Sequence, residues 1–232
     1  MNHKTIVFDF DGTIADTYEQ LIKLANELAD EFNYKPISQS ELLRLKNLSS
    51  WEIIKQAQIP LFKIPFLFKR IQKELNKEIE RINIFPEIET VLHQLKARGY
   101  QLGIITSNTE KNVKNVLAKY ELSHLFDFIY AETTIFGKHR IIGEVIRTKK
   151  IDRGDIIYVG DETRDIRSAQ KSRVAIVAVA WGFHSREILA KQKPEFIVDR
   201  PLELLDVIAQ WHNFWKTEIV SELRTQKLSK TV

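Results

Sequence analysis

Cysteine is absent from the 232 residues. That excludes disulfides, thiolate metal sites and a cysteine nucleophile. No run of apolar residues is long enough to span a bilayer. The opening stretch MNHKTIVF is too short and too soon acidic for a secretory signal. A cytoplasmic location with no membrane partner is therefore expected. No element carries a basic stripe, and the formal net charge is only +4. A nucleic-acid partner is therefore not expected. No histidine pair stands at ligand spacing. Apolar residues make up 44% and charged residues 28%, an ordinary globular balance.

Against these absences one segment stands out, Val7-Phe8-Asp9-Phe10-Asp11-Gly12-Thr13. Two carboxylates sit two residues apart at the end of an apolar run, with a glycine directly behind them. Gly12 permits a tight turn that turns both acids toward one crevice and lets backbone amides approach an anion. One acid can serve as nucleophile and metal ligand, the other as general acid and base. A carboxylate that attacks phosphorus makes an acyl phosphate, which water then hydrolyses. An arbitrary pair of this kind also suits a capped loop or a solvated turn.

The patterning around it is alternating. Residues 4–10 read as a buried strand. From 17 to 82 the spacing is helical, with segments at 17–32, 38–46, 49–58 and 66–82, and no strand is expected between 14 and 83. From 85 onward strands and helices alternate, with strands at 100–106, 126–130, 156–159, 174–179 and 196–198. The helices between them fall at 87–98, 109–120, 139–149, 164–171 and 185–191, and one more runs from 201 to about 213. This predicts an α/β fold: a Rossmann-like, mostly parallel sheet flanked by helices, with a helical insertion after the first strand. The expected division is core over 1–14, helical cap over 15–84 and core again over 85–232. The tail from 214 to 232 reads as amphipathic at best.

Ligands bind beyond the carboxyl ends of the strands in such sheets. Four segments converge there. Asp161 and Asp165, in Gly160-Asp-Glu-Thr-Arg-Asp165, follow the strand at 156–159 and share a helical face at their spacing of four. With Asp9 they form an oxygen-rich set, which suits Mg²⁺. Glu162 is expected to be solvated or to stand behind the ligands, and Arg164 to pair with the acids. Thr106, Ser107 and Asn108 close the second strand and offer a hydroxyl and backbone amides to phosphoryl oxygens. Thr106 equally suits a cap for the helix behind it. Lys138 follows Gly137 and can neutralise charge beside Asp9, although a lone loop lysine usually faces solvent.

These four segments, in this order, resemble the haloacid dehalogenase-like (HAD) phosphatase superfamily over nearly the whole chain. DFDGT matches the first motif, Thr106 the second, Lys138 the third and GDETRD the fourth. The resemblance implies Asp9 as nucleophile and Asp11 as the acid that protonates the leaving oxygen and then activates water. It implies Mg²⁺ held by Asp9, the backbone carbonyl of Asp11, and Asp161, with Asp165 orienting a metal-bound water. Thr106 and Lys138 would hold the phosphoryl group, with Gly12, Ser107 and Asn108 adding donors. The true dehalogenases lack the second aspartate of the first motif, so Asp11 points to phosphoryl chemistry.

The insertion resembles the C1 cap of the phosphoglycolate phosphatase and beta-phosphoglucomutase branch, as does Trp181-Gly182-Phe183 with the segment 194–205. Two places depart from that pattern, the loop after the motif lysine and the cap segment 46–50. His139 stands where proline usually follows the motif lysine. Asn47 replaces a usual glycine, and Ser50 stands where the mutases carry an arginine. Lys46, or Arg44, could contact a substrate carboxylate or phosphate. The expected function is a Mg²⁺-dependent phosphatase of a small phosphorylated metabolite, with phosphoglycolate as the leading candidate. A phosphomutase or phosphonate hydrolase is the nearby alternative, and a non-enzymatic partner-binding protein the more distant one. A monomer or homodimer is expected. The apolar stretch 59–68 reads as cap core by default, or as a lid or dimer patch.

Overall fold

A computed structural model describes residues 4–132 and 137–212. The tail expectation, 214–232, lies outside the described residues. A six-stranded sheet forms the centre. Its strands are β1 (Thr5–Phe8), β4 (Gln101–Thr106), β5 (Phe128–Ala131), β6 (Ile156–Gly160), β7 (Ala175–Val179) and β8 (Phe196–Val198). Their order across the sheet is β5-β4-β1-β6-β7-β8, and every pairing is parallel.

The residues of β1 show why the sheet is covered on both sides. All four are buried. Ile6 and Phe8 pack with Val91, Leu92 and Leu95 of α6 (Ile88–Ala97) and with Val113, Val116 and Leu117 of α7 (Glu110–Lys119). Val7 points the other way. It packs with Ile141, Ile142 and Val145 of α8 (Lys138–Lys149) and with Ile166 and Ala169 of α9 (Thr163–Ser172). The side-chain period of two thus sends alternate residues into two helical layers. The helices stay apolar only on the side that meets the sheet. The layers close at the C-terminal end with α10 (Arg186–Ala190) and a helical segment over 204–212 whose Ile208 and Trp211 are buried.

β1 lies at the point where the strand order reverses, between β4 and β6. Phe8 is in register with Ile104 on one side and Val159 on the other. The next residues of all three strands therefore emerge side by side, at the crevice such sheets use for ligands.

The helical insertion leaves and rejoins through a two-stranded ribbon. β2 (Ala15–Asp16) pairs antiparallel with β3 (Asn83–Ile84), with Ala15 opposite Ile84. No strand was expected as early as 15, because two residues are too few to show alternation. Between them run α1 (Tyr18–Glu27), α2 (Ala29–Phe32), α3 (Gln39–Leu45), α4 (Ser50–Gln56) and α5 (Ile64–Leu75). The single helix expected over 17–32 breaks at Leu28, and Asn33 closes α2 in the left-handed conformation. Asn tolerates that conformation better than most residues. Pro65 does not interrupt a helix but sits in the first turn of α5, where its missing N–H costs nothing. Ser38 and Ser49 start α3 and α4 with capping boxes closed by Glu41 and Glu52.

The stretch 59–68 divides by face. Ile64 and Leu67 are buried in the insertion, whereas Leu61, Phe62 and Phe66 are exposed. The default of cap core therefore holds for Ile64 and Leu67 but not for Leu61, Phe62 and Phe66, which face outward. No helix among the described residues is long and apolar enough to cross a membrane.

Candidate active site

The loop after β1 folds back at once. Phe10 O accepts from the backbone N–H groups of Thr13, Ile14 and Ala15, and Gly12 N–H donates to Ala15 O. Gly12 takes φ 77°, a conformation that favours glycine. A side chain there would also overlap the carboxylate of Asp161. The turn expected from the sequence is therefore present, and it is required twice over.

Asp9 is buried at the end of β1. Its Oδ1 accepts from Phe10 N–H at 2.7 Å and its Oδ2 from Lys138 Nζ at 2.5 Å. The same ammonium reaches Asp165 Oδ1 at 2.6 Å. Lys138 is the first residue of α8 and is only 2% exposed, so it is not a solvent lysine. Burial works against its charge, but Asp165 and Asp9 outweigh burial and raise its pKa.

Asp161 emerges from β6 and is held at both oxygens. Oδ1 accepts from Thr13 Oγ1 at 2.9 Å, and Oδ2 from Phe183 N–H at 2.7 Å. Asp165, one turn into α9, accepts from Glu162 N–H at 3.0 Å. Carboxylate oxygens of Asp9, Asp161 and Asp165 lie within 4.8 Å of one another, and all three residues are buried. Burial pushes the Asp9 carboxyl up to about 7, with Lys138 pulling against it and Asp165 adding to it. Burial, Glu162 and Asp9 push the Asp161 carboxyl well above the usual carboxylate range. A divalent cation among these hard oxygen donors would offset that repulsion, so the donor set fits a divalent metal of the oxygen-seeking kind.

Asp11 is not a member of this cluster. Both of its carboxylate oxygens accept from Asn108 Nδ2, at 3.1 and 3.0 Å. Burial raises its pKa, and the neighbouring Thr17 hydroxyl and the Asn108 amide oppose that rise. Asn108 N–H donates to Thr106 Oγ1 at 3.0 Å. Thr106, Ser107 and Asn108 are all buried at the end of β4. Helix α7 is capped by Thr109, whose side chain accepts from Asn112 N–H, so Thr106 is not spent as the cap.

Glu162 is buried rather than solvated. Its Oε1 accepts from Arg164 Nε at 2.8 Å, and Arg164 also reaches Ser107 Oγ at 3.2 Å. Lys46 lies at the seam between the insertion and the core. Its Nζ is 3.4 Å from Gly182 O and 4.9 Å from the centre of the Tyr18 ring, while its backbone carbonyl accepts from Ser185 N–H. Arg44 is elsewhere, donating to Gln56 on an exposed face.

Several residues of this neighbourhood carried no signal as site residues. A side chain at Gly182 would overlap Asp161 and the carbonyl of Gly12. His184 is buried, with Nδ1 accepting from Thr163 N–H at 2.9 Å. Gln72 of α5 donates from Nε2 to Ser107 O, and Asn112 of α7 donates to Gln72 O and to Asn108 Oδ1.

The model of the haloacid dehalogenase-like hydrolase family matches residues 6–179. A phosphoglycolate phosphatase of Synechococcus elongatus is 32% identical over 207 residues, covering 89% of this chain and 98% of the relative. A pyrophosphatase PpaX of Bacillus pumilus is 27% identical, covering 88% and 95%. Among solved structures, a predicted phosphatase from Clostridium acetobutylicum shares the fold with a TM-score of 0.78 at 23% identity, covering 90% of this chain and all of that one. The family model spans most of the chain, and the Synechococcus relative is similar along nearly its whole length. The chain therefore belongs to the haloacid dehalogenase-like hydrolase family and is an enzyme of its phosphatase type.

Proposed function

We propose that the protein is a Mg²⁺-dependent phosphomonoester phosphatase that forms an aspartyl phosphate on Asp9. The observation that carries this reading is the separation of the two carboxylates of the first loop. Asp9 lies among Lys138, Asp161 and Asp165, whereas Asp11 is held apart by Asn108. Two acids in two environments can take two roles.

An Asp9 oxygen attacks phosphorus, and the P–O bond to the alcohol breaks. The departing oxygen takes a proton from Asp11. Water then attacks the acyl phosphate, giving its proton back to Asp11, and inorganic phosphate leaves with the Asp9 carboxylate restored. Lys138 fixes Asp9 and faces the negative charge of the phosphoryl group. The hydroxyls of Thr106 and Ser107 supply donors to its oxygens. Mg²⁺, held by Asp9, Asp161 and the Asp11 carbonyl with Asp165 behind, would supply charge neutralisation at the phosphoryl group.

The segment 15–84 acts as the cap over this crevice and selects the leaving group. Phosphoglycolate is the leading substrate. The name of the Synechococcus relative supports it, and so does Lys46, a cation at the seam that suits a carboxylate. Phosphate release from phosphoglycolate, pyrophosphate and p-nitrophenyl phosphate tests both levels. Asp9→Asn should abolish release from each. Lys46→Ala should raise KM for phosphoglycolate about 10-fold, the scale of one charge-assisted hydrogen bond, and leave p-nitrophenyl phosphate nearly unchanged. Activity that survives Asp9→Asn, or that needs no divalent metal, overturns the mechanism. An equal effect of Lys46→Ala on both esters removes phosphoglycolate from the lead.

A further inference from the structure

A run of amides, half-buried at Asn76 and buried at Asn112 and Asn108, connects the insertion to Asp11. Asn76, just past α5, donates from Nδ2 to Asn112 Oδ1 at 2.7 Å. Asn112 is 1% exposed on α7. Its Nδ2 spends both hydrogens, one on Gln72 O at 3.0 Å and one on Asn108 Oδ1 at 2.8 Å. Asn108 Nδ2 then donates to both oxygens of Asp11.

The orientation of every amide in this run is forced. An asparagine side chain has one accepting end and one donating end. Gln72 O is a backbone carbonyl and can only accept, so the NH₂ of Asn112 must face it. Thr109 N–H is a backbone donor, and it reaches Asn108 Oδ1 at 2.7 Å. Two donors therefore converge on Asn108 Oδ1, and the NH₂ of Asn108 must face Asp11. Of the three partners of the Asn112 amide, two belong to the insertion.

We propose that Asn112 is a positioning residue that makes the placement of the Asp11 carboxylate depend on how the insertion is seated. It touches neither substrate nor reacting atoms. With α5 in place, Gln72 and Asn76 hold the Asn112 amide, which holds Asn108, which aims Asp11. Without them the amide is free to turn, and Asn108 keeps only one of its two outside donors. The acid would thus be fully aimed only where the insertion closes the crevice above it. This rests on Asp11 being the proton donor to the leaving group.

The test compares kcat/KM on two esters, because that quantity reads the step in which the alcohol departs. An alkyl phosphate needs its leaving oxygen protonated. p-Nitrophenyl phosphate releases an acidic phenol that needs little help. Asn112→Ala should lower kcat/KM for the alkyl ester by roughly 30-fold or more, and for p-nitrophenyl phosphate by less than about threefold. Asn76→Asp offers a second route should Asn112→Ala fail to fold. It sets an accepting oxygen against Asn112 Oδ1 and turns the amide, and the same selective loss is expected. Equal losses on the two esters, or no loss on either, overturn the proposal while leaving the phosphatase reading intact. A wild-type protein that releases phosphate from neither ester overturns that reading, and the proposal with it.

Discussion

Asp161 occupies the space that a side chain at Gly182 would need. The neighbouring Phe183 N–H donates to the same carboxylate, so the segment 182–183 presses on Asp161 from one side while Thr13 holds it from the other. Gly182→Ala should displace Asp161 without emptying any core space. The divalent-metal concentration for half-maximal activity should rise about 10- to 100-fold, the usual effect of disturbing the support of a metal ligand. A titration of activity against Mg²⁺ reads this directly. An unchanged midpoint would show that the loop yields and Asp161 does not.

Removing Lys138 leaves two buried carboxylates without their cation. Lys138→Met should abolish activity, and in a chelator it should destabilise the fold by roughly 3–5 kcal/mol, the cost of breaking a buried pair. Excess divalent metal should recover part of that loss, since Asp9 and Asp165 would regain a positive neighbour. Urea unfolding with and without Mg²⁺ makes the comparison. Equal destabilisation under both conditions argues against a metal site at these acids.

Burial holds His184 below its ordinary value of 6.5. Its ring is neutral with the proton on Nε2, because Nδ1 accepts from Thr163. The unfolded chain binds the proton more readily than the folded one. The contribution of His184 is therefore complete above 6.5 and is lost as the pH falls from there through the folded value. His184→Asn keeps an acceptor for Thr163 and removes the titration. The stability advantage of the wild type over this variant should shrink between about pH 7.5 and about pH 5.5. A constant difference across that range breaks the link.

The legible parts of the site were those that the chain keeps together. Asp9, Asp11 and Gly12 share one turn, and Asp161 and Asp165 share one helix start, so spacing alone brought them to the crevice. Lys138 stands out by its order among the motifs and not by any local pattern. Gly182 was visible as part of Trp181-Gly182-Phe183, but its steric relation to Asp161 spans two strands and leaves no local trace. Asn112 and Gln72 look like ordinary helical amides. Only the approach of the end of α5 and the following segment 76–81 to α7 turns them into partners. The break at Leu28 and the two-residue strands of the ribbon were lost for another reason. Each is shorter than the period that would reveal it.

The ribbon of β2 and β3 has one further consequence. Ala15 and Ile84 lie opposite each other, so the chain leaves the core and returns to it at almost one point. The entropy cost of closing an excursion anchored this way rises only slowly with its length. The helices between could be exchanged for a different set, as a cassette, without moving Asp9 or Asp161. A transplant of that kind would have to carry its own counterparts of Gln72 and Asn76. Without them Asp9 would stay in place, but Asp11 would lose the contacts that hold Asn108 against it.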